Sequence, residues 1–115
     1  MLTIYHNPRC TKSRETLALL QAKGQHPAVV LYLDTPPDAP TLKKLLQQLG
    51  IDAHALLRKG EDEYKALGLD KPGLTDDAII AAMVAHPRLI ERPIVSDGKR
   101  AVIGRPPENV LELLS

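Results

Sequence analysis

The sequence predicts an α/β fold in one domain, residues 1–115, with the element order βαβ, a helical insert, then ββα. Two apolar segments near the start, Leu2–Tyr5 and Val29–Leu33, are separated by a helical pattern, which is typical of a βαβ unit. Near the other end, Asp97-Gly98 lies between two further apolar runs and is a strong hairpin signal. Strands at both ends with helices between them predict a mixed sheet.

The bounds of the βαβ unit follow from its end signals. A helix is predicted from about Thr11 to Lys23, because Gly24 is a typical stop residue. The run Val29–Leu33 is continuously apolar and contains β-branched residues. We therefore predict a strand that is buried on both faces and parallel to the first one.

The insert predicts four helices, at about residues 39–49, 53–57, 61–67 and 76–85. The first has Asp38 as N-cap and Gly50 as its stop, and an apolar stripe at helical spacing, formed by Leu42, Leu45, Leu46 and Leu49. Thr75 is the predicted cap of the last helix, since two aspartates follow it in the first turn.

The C-terminal part predicts a hairpin followed by a helix that begins at Pro106-Pro107. The complete order is that of a thioredoxin-like fold with a helical block in the middle. Pro93 stands where that fold begins the strand opposite its nucleophile loop, which favours a cis peptide bond. The alternative is an ordinary trans proline at a sheet edge.

Composition excludes several classes of function. The 115 residues carry a formal net charge of +1, so neither nucleic-acid nor membrane binding is indicated. A single cysteine excludes an internal disulfide, and no clustered ligand pattern indicates a bound metal. We expect a soluble monomer of the reducing cytoplasm without a bound cofactor.

The loop that contains Cys10 is the leading candidate for chemistry. It joins a strand to a helix, and a helix N-terminus stabilises a thiolate or an oxyanion. Ser13 offers a hydroxyl one turn later, and cationic or titratable side chains surround the sulfur in sequence, namely His6, Arg9, Lys12 and Arg14. The alternative is an inert buried cysteine. Three roles remain open for His6: it could pair with the thiolate, transfer a proton, or be a turn residue that is hydrogen-bonded to the backbone.

Three arginines stand at element boundaries and could converge on one site. Arg58 ends a short helix, Arg92 precedes Pro93, and Arg105 follows the hairpin. A single surface arginine is most often a solvated charge. Together with an activated cysteine, however, three of them predict a site for a tetrahedral oxyanion, because the guanidinium fork matches such groups.

At these residues the chain resembles the glutaredoxin-linked arsenate reductase (ArsC) family. The similarity lies in four segments that follow in the same order along the whole chain: Ile4–Arg14, Leu56–Lys59, Leu89–Val95 and Arg105-Pro106. The resemblance implies that Cys10 is the nucleophile with His6 and Ser13 as activating neighbours. It also implies that Arg58, Arg92 and Arg105 bind the oxyanion.

The resemblance further implies a reaction and its partners. The cysteine attacks arsenate to form a thiol–arsenate adduct, glutathione attacks the adduct, and glutaredoxin reduces the mixed disulfide as arsenite is released. Two other hypotheses remain open: a non-enzymatic regulator or interaction module of the same fold, and a thiol oxidoreductase acting on glutathione mixed disulfides. The three arginines favour the reductase over the regulator, and regulators of this superfamily typically carry a second cysteine where this chain has Ser13.

Overall fold

The computed structural model describes residues 2–114 and contains a four-stranded sheet in the order β2-β1-β3-β4. Its strands are β1 (Thr3–His6), β2 (Ala28–Leu31), β3 (Ile94–Ser96) and β4 (Ala101–Ile103). β1 pairs with β2 in parallel and with β3 antiparallel, and β3 pairs with β4 antiparallel. The sheet is therefore mixed, which confirms the predicted fold class.

Helices fill the remainder of the predicted order. They are α1 (Thr11–Ala22), α2 (Ala39–Leu49), α3 (Ala53–Leu56), α4 (Asp62–Ala66) and α5 (Asp76–Ala85), with 3-10 helices at Pro87–Leu89 and Pro107–Leu114. The chain divides into two compact units. The sheet unit comprises residues 1–35 and 92–115, and the helical unit comprises residues 36–91.

Helix α2 shows how local signals set the helical unit. The Asp38 carboxylate accepts a hydrogen bond from the Thr41 N–H at 2.9 Å, which satisfies a donor that the first turn leaves free. Gly50 ends the helix in the left-handed conformation with φ of 71°. Three of the four leucines of the apolar stripe, Leu42, Leu45 and Leu46, are buried, and Leu49 is partly exposed. The predicted bounds of this helix are confirmed.

The core of the sheet unit is aliphatic. It lies where α1 and the 3-10 helix Pro107–Leu114 pack with the sheet, and its buried members are Leu2, Ile4, Leu20, Val95, Val110 and Leu113. The peptide bond between Arg92 and Pro93 is cis, the form favoured above, and so is the bond between Arg105 and Pro106.

The prediction for the second strand was wrong in its burial. β2 is parallel to β1 as expected, but it covers Ala28–Leu31 and forms an edge of the sheet. Val29 is 47% exposed and Leu31 is 39% exposed. An edge strand has a neighbouring strand on one side only. An unbroken apolar run does not reveal whether a strand lies at the edge or in the middle of a sheet. The last helix also has 3-10 rather than α geometry.

Candidate functional site

The loop before α1 is shaped by hydrogen bonds from Asn7. Its side-chain oxygen accepts from the Arg9 N–H at 3.0 Å, and its carbonyl oxygen accepts from the Cys10 N–H at 3.0 Å. These two bonds form a turn of the kind that asparagine before proline favours. The chain then enters α1 with Cys10 as the N-cap residue. The sulfur therefore lies at the positive end of the helix, as predicted.

Two arginines of the sheet unit lie beside this sulfur. The Arg105 Nη2 donates to Cys10 Sγ at 3.6 Å, while its Nε donates to the Arg92 carbonyl oxygen at 2.7 Å. The Arg92 guanidinium also interacts with the thiolate. The hairpin of β3 and β4 explains this convergence, because Arg92 precedes the first strand and Arg105 follows the second.

The environment of Cys10 favours the thiolate. Its side chain is buried, with 9% of the residue exposed, and burial alone would raise the pKa of the thiol. The backbone N–H of Ser13 and the guanidinium groups of Arg92 and Arg105 more than offset this effect, so the pKa of Cys10 lies below its ordinary value. Cys10 is thus buried, as the inert alternative expected, but it faces two arginines that favour its thiolate.

The Ser13 hydroxyl does not donate to the Cys10 sulfur as we expected from the sequence. Its hydroxyl lies 2.6 Å from His6 Nδ1 and accepts a hydrogen bond from the Asn7 N–H at 3.0 Å. The group of Ser13 that faces the Cys10 sulfur is its backbone N–H. This N–H belongs to the first turn of α1, where backbone donors are free of helix partners. The predicted hydroxyl donor to the sulfur is thus replaced by a backbone donor.

His6 contacts the site through Ser13. Its ring is buried, and burial together with the charge of Arg14 holds the pKa of His6 below its usual value. A lowered pKa favours the neutral ring at neutral pH, so His6 adds no positive charge beside the sulfur. Its bond to the Ser13 hydroxyl also differs from both the thiolate pairing and the backbone-bonded turn residue considered above.

Comparisons with known proteins place this site in a family. The model of the ArsC family matches residues 5–113. The chain belongs to the ArsC family. The uncharacterized protein YfgD of Escherichia coli K12 is 57% identical over 112 residues, which cover 96% of this chain and 94% of that protein.

Two further relatives carry an enzyme name. A protein of Neisseria meningitidis serogroup A named arsenate reductase is 48% identical over 98% of this chain and 97% of its own length. The solved structure of an arsenate reductase from Vibrio cholerae is 54% identical, with a TM-score of 0.94 over 96% of this chain and 95% of that chain. These similarities confirm the thioredoxin-like fold that was predicted from sequence.

Arg58, the third arginine expected from the ArsC resemblance, lies in the helical unit. Its backbone N–H donates to the Leu89 carbonyl oxygen at 2.7 Å, and its Nε lies 3.7 Å from a Glu91 carboxylate oxygen. Its Nη1 is buried without a hydrogen-bond partner in the part of the chain that the structure describes. One edge of this guanidinium is therefore paired, and the other carries an unused donor.

Two cations of the Cys10 loop, Arg14 and Lys12, have partners other than the sulfur. Arg14 donates to the Pro8 carbonyl oxygen at 2.9 Å and to the Thr11 hydroxyl at 3.3 Å, while Lys12 lies 3.9 Å from Glu15. Arg9 is exposed. The side-chain charge that lowers the pKa of Cys10 comes from Arg92 and Arg105, distant in sequence. The expectation that neighbours in sequence would supply it was wrong.

Two positions that support Arg105 were missed from sequence. At Gly104, an added Cβ would lie 2.5 Å from the hydroxyl of the fully buried Thr16, so only glycine permits this approach of β4 to α1. Asn109 donates from its side-chain amide to the Arg105 carbonyl oxygen at 3.0 Å. Gly104 has a weak signal, a glycine directly before a candidate arginine, whereas Asn109 has none.

An open groove borders the Cys10 loop within the sheet unit. It has a volume of about 300 Å³ and is lined by His6, Asn7, Pro8, Arg9, Leu31, Leu33 and Asp34. It therefore offers space for small molecules beside the loop. Within residues 2–114, no helix is long and apolar enough to span a membrane.

Proposed function

We propose that this ArsC-family protein reduces arsenate to arsenite, with Cys10 as nucleophile and with glutathione and glutaredoxin as reductants. The observation that carries the proposal is the contact of 3.6 Å between Arg105 Nη2 and Cys10 Sγ, next to Arg92. A thiolate flanked by planar cationic donors can bind an oxyanion and attack its central atom in one place. The arsenate reductase name of the Neisseria and Vibrio relatives supports the same substrate.

The proposed reaction begins when the Cys10 thiolate attacks arsenic. A sulfur–arsenic bond forms, an arsenic–oxygen bond breaks, and the departing oxygen takes up protons and leaves as water. A glutathione thiolate then attacks the Cys10 sulfur. The electron pair of the sulfur–arsenic bond stays with arsenic, which leaves as arsenite, and Cys10 is left in a disulfide with glutathione. Glutaredoxin reduces this disulfide and restores the thiolate.

An external thiol is required by the composition of the chain. Cys10 is the one cysteine of the 115 residues, so it has no internal partner for a disulfide. Each turnover therefore consumes a thiol from outside. This requirement suits the reducing cytoplasm, which we propose as the location, with the protein acting as a monomer.

Arg58, Arg92 and Arg105 are the proposed ligands of the oxyanion. Arg92 and Arg105 lie beside the sulfur, whereas the proposal for Arg58 rests on the ArsC resemblance and on its Nη1, which is buried without a partner among the described residues. His6 and Ser13 support the nucleophile: Ser13 by its backbone N–H, and His6 by its bond to the Ser13 hydroxyl. Positioning and charge stabilisation are the main contributions of these groups.

The direct test measures arsenite released by purified protein with arsenate, glutathione and glutaredoxin. Cys10→Ser should abolish release, since a serine hydroxyl is far less nucleophilic at neutral pH and cannot exchange with a disulfide. Arg92→Lys should lose most activity, because a point charge does not replace a two-pronged donor. Losing a charged hydrogen-bonding partner typically costs roughly 1.5–3 kcal/mol, or about ten- to a hundredfold.

Arg100→Lys is the matched control. Arg100 lies in the turn between β3 and β4, pairs with Asp97 at 3.6 Å and has a side chain that is 56% exposed. We expect its activity to equal that of the wild type. Omitting glutaredoxin should leave a glutathione adduct on Cys10 by mass spectrometry, formed only when arsenate is present. A folded wild type that releases no arsenite would instead support a regulator, and an adduct formed without arsenate would support a general thiol oxidoreductase.

A further inference from the structure

The turn that carries Arg105 is held by one side chain from the C-terminal 3-10 helix. The Asn109 amide nitrogen donates to the Arg105 carbonyl oxygen at 3.0 Å and to the Ile103 carbonyl oxygen at 3.3 Å. An asparagine amide has two N–H groups, so both bonds form at once. The two carbonyls lie on either side of Gly104, and one side chain thereby spans the whole turn.

The geometry of this turn determines where the Arg105 guanidinium lies. The Arg105 backbone N–H is bonded to the Ile103 carbonyl oxygen at 2.9 Å, and Gly104 N–H to the Pro93 carbonyl oxygen at 2.9 Å. From this backbone the side chain reaches the Arg92 carbonyl with Nε and the Cys10 sulfur with Nη2. A shift of the backbone would displace Arg105 Nη2 from the Cys10 sulfur, which it contacts at 3.6 Å.

Apart from these two hydrogen bonds, few contacts of Asn109 would explain why asparagine occupies this position. It is half-buried, and it is absent from the core cluster formed by the neighbouring Val110 and other aliphatic side chains. Its own backbone N–H bonds to the Pro106 carbonyl oxygen at 3.0 Å, which any residue except proline could do. The side-chain amide is thus the specific feature of this position.

We propose that Asn109 is a positioning residue for the nucleophile site: its amide clamps the backbone on both sides of Gly104 and so holds the Arg105 guanidinium against the Cys10 sulfur. This inference rests on the proposed role of Arg105 and Cys10 as the reacting site. Its readouts do not require turnover, however, so it can fail while arsenate reduction is demonstrated, and it can hold if the substrate is another oxyanion.

The test compares Asn109→Ala and Asn109→Leu with Arg105→Ala, by titrating thiolate absorbance and by measuring how arsenate protects Cys10 from alkylation. The leucine variant keeps the number of side-chain heavy atoms and the branching of asparagine, but it is bulkier and lacks donors. Both Asn109 variants should raise the pKa of Cys10 towards that of Arg105→Ala, and should weaken arsenate protection by about three- to tenfold. This is less than the roughly ten- to a hundredfold expected when the charge itself is lost.

The double variant Asn109→Ala/Arg105→Ala separates positioning from general loosening. If Asn109 acts through Arg105, the double variant should titrate like Arg105→Ala alone, whereas independent effects would add. Val110→Ala is the control for stability, since it removes fully buried methyl groups from the same 3-10 helix. It should lower the urea midpoint and leave the thiol titration unchanged.

Three results would overturn the proposal. They are a wild-type titration in both Asn109 variants, additive shifts in the double variant, or an equal shift in Val110→Ala.

Discussion

Gly104→Ala tests whether the approach of β4 to α1 is as tight as the structure indicates. The new Cβ would lie 2.5 Å from Thr16 Oγ1, 2.9 Å from Pro93 Cγ and 3.0 Å from Thr16 Cγ2. An ordinary contact begins at 3.4 Å, so the nearest pair must separate by 3.4 − 2.5 = 0.9 Å. Thr16 is fully buried, and its hydroxyl donates to the Lys12 carbonyl oxygen at 2.7 Å with the Gly104 carbonyl oxygen at 3.4 Å, so rotating away from the new Cβ would cost these contacts.

The expected cost follows from two opposing effects. Forcing an extra methyl group into a packed core typically costs about 1–3 kcal/mol. Replacing glycine by alanine also restricts the unfolded chain, which returns about 0.4–1 kcal/mol. We therefore expect Gly104→Ala to lower the free energy of unfolding by about 1–2 kcal/mol, measured by urea denaturation with an unchanged slope.

Two matched variants make this prediction specific. In a Thr16→Ala background the hydroxyl and methyl groups that clash are gone, and the penalty of Gly104→Ala should fall by about 1 kcal/mol. Gly60→Ala is the control, because no atom of the described residues, apart from its chain neighbours, lies within 4 Å of the added Cβ, and it should be neutral or slightly stabilising. An unchanged urea midpoint for Gly104→Ala, or the same penalty with and without Thr16, would refute the reasoning.

Three further predictions concern Cys10 and its neighbours. Because the pKa of Cys10 is lowered in the fold, iodoacetamide should react with a midpoint at lower pH than with free cysteine in the same buffer, and a midpoint at or above that of free cysteine would contradict it. By linkage, the native protein loses this proton before the unfolded chain does. The thiol's contribution to stability should therefore grow as pH rises between the two pKa values and be complete above the unfolded one. Ser13→Ala keeps the backbone N–H at the sulfur but leaves His6 Nδ1 and the Asn7 N–H without their partner. We expect Ser13→Ala to lower the free energy of unfolding in urea by about 1–3 kcal/mol and to raise the pKa of Cys10 less than Arg105→Ala does. An equal rise in that pKa would indicate that the Ser13 hydroxyl donates to the sulfur after all.

Features encoded by near neighbours could be predicted from the sequence. Helix α2 is an example, since its cap Asp38, its apolar stripe and its stop Gly50 all lie within one short segment. The position of Cys10 at the start of α1 is another, because a strand, a turn and a helical pattern follow one another directly. Such features depend on hydrogen bonds within a few residues, and these form in the same way in many folds.

Element boundaries and the ArsC resemblance both predicted that Arg92 and Arg105 lie at one site. The two residues are 13 positions apart, and the structure brings both beside Cys10. Local reasoning about charge failed here, because it counted the cations nearest in sequence. Arg14 bonds instead to the backbone and a hydroxyl of its own loop.

What the sequence determined by itself is the element order, the approximate helix ends and the place of Cys10 at the start of α1. The tertiary structure decided that β2 is an exposed edge, that Ser13 faces the sulfur with its backbone, and that Asn109 holds the turn of Arg105. Each of these depends on which groups from distant segments meet, and on how closely backbones approach. Apolar patterns and residue types specify that a side chain is buried or charged, but the packing of whole elements selects its partner.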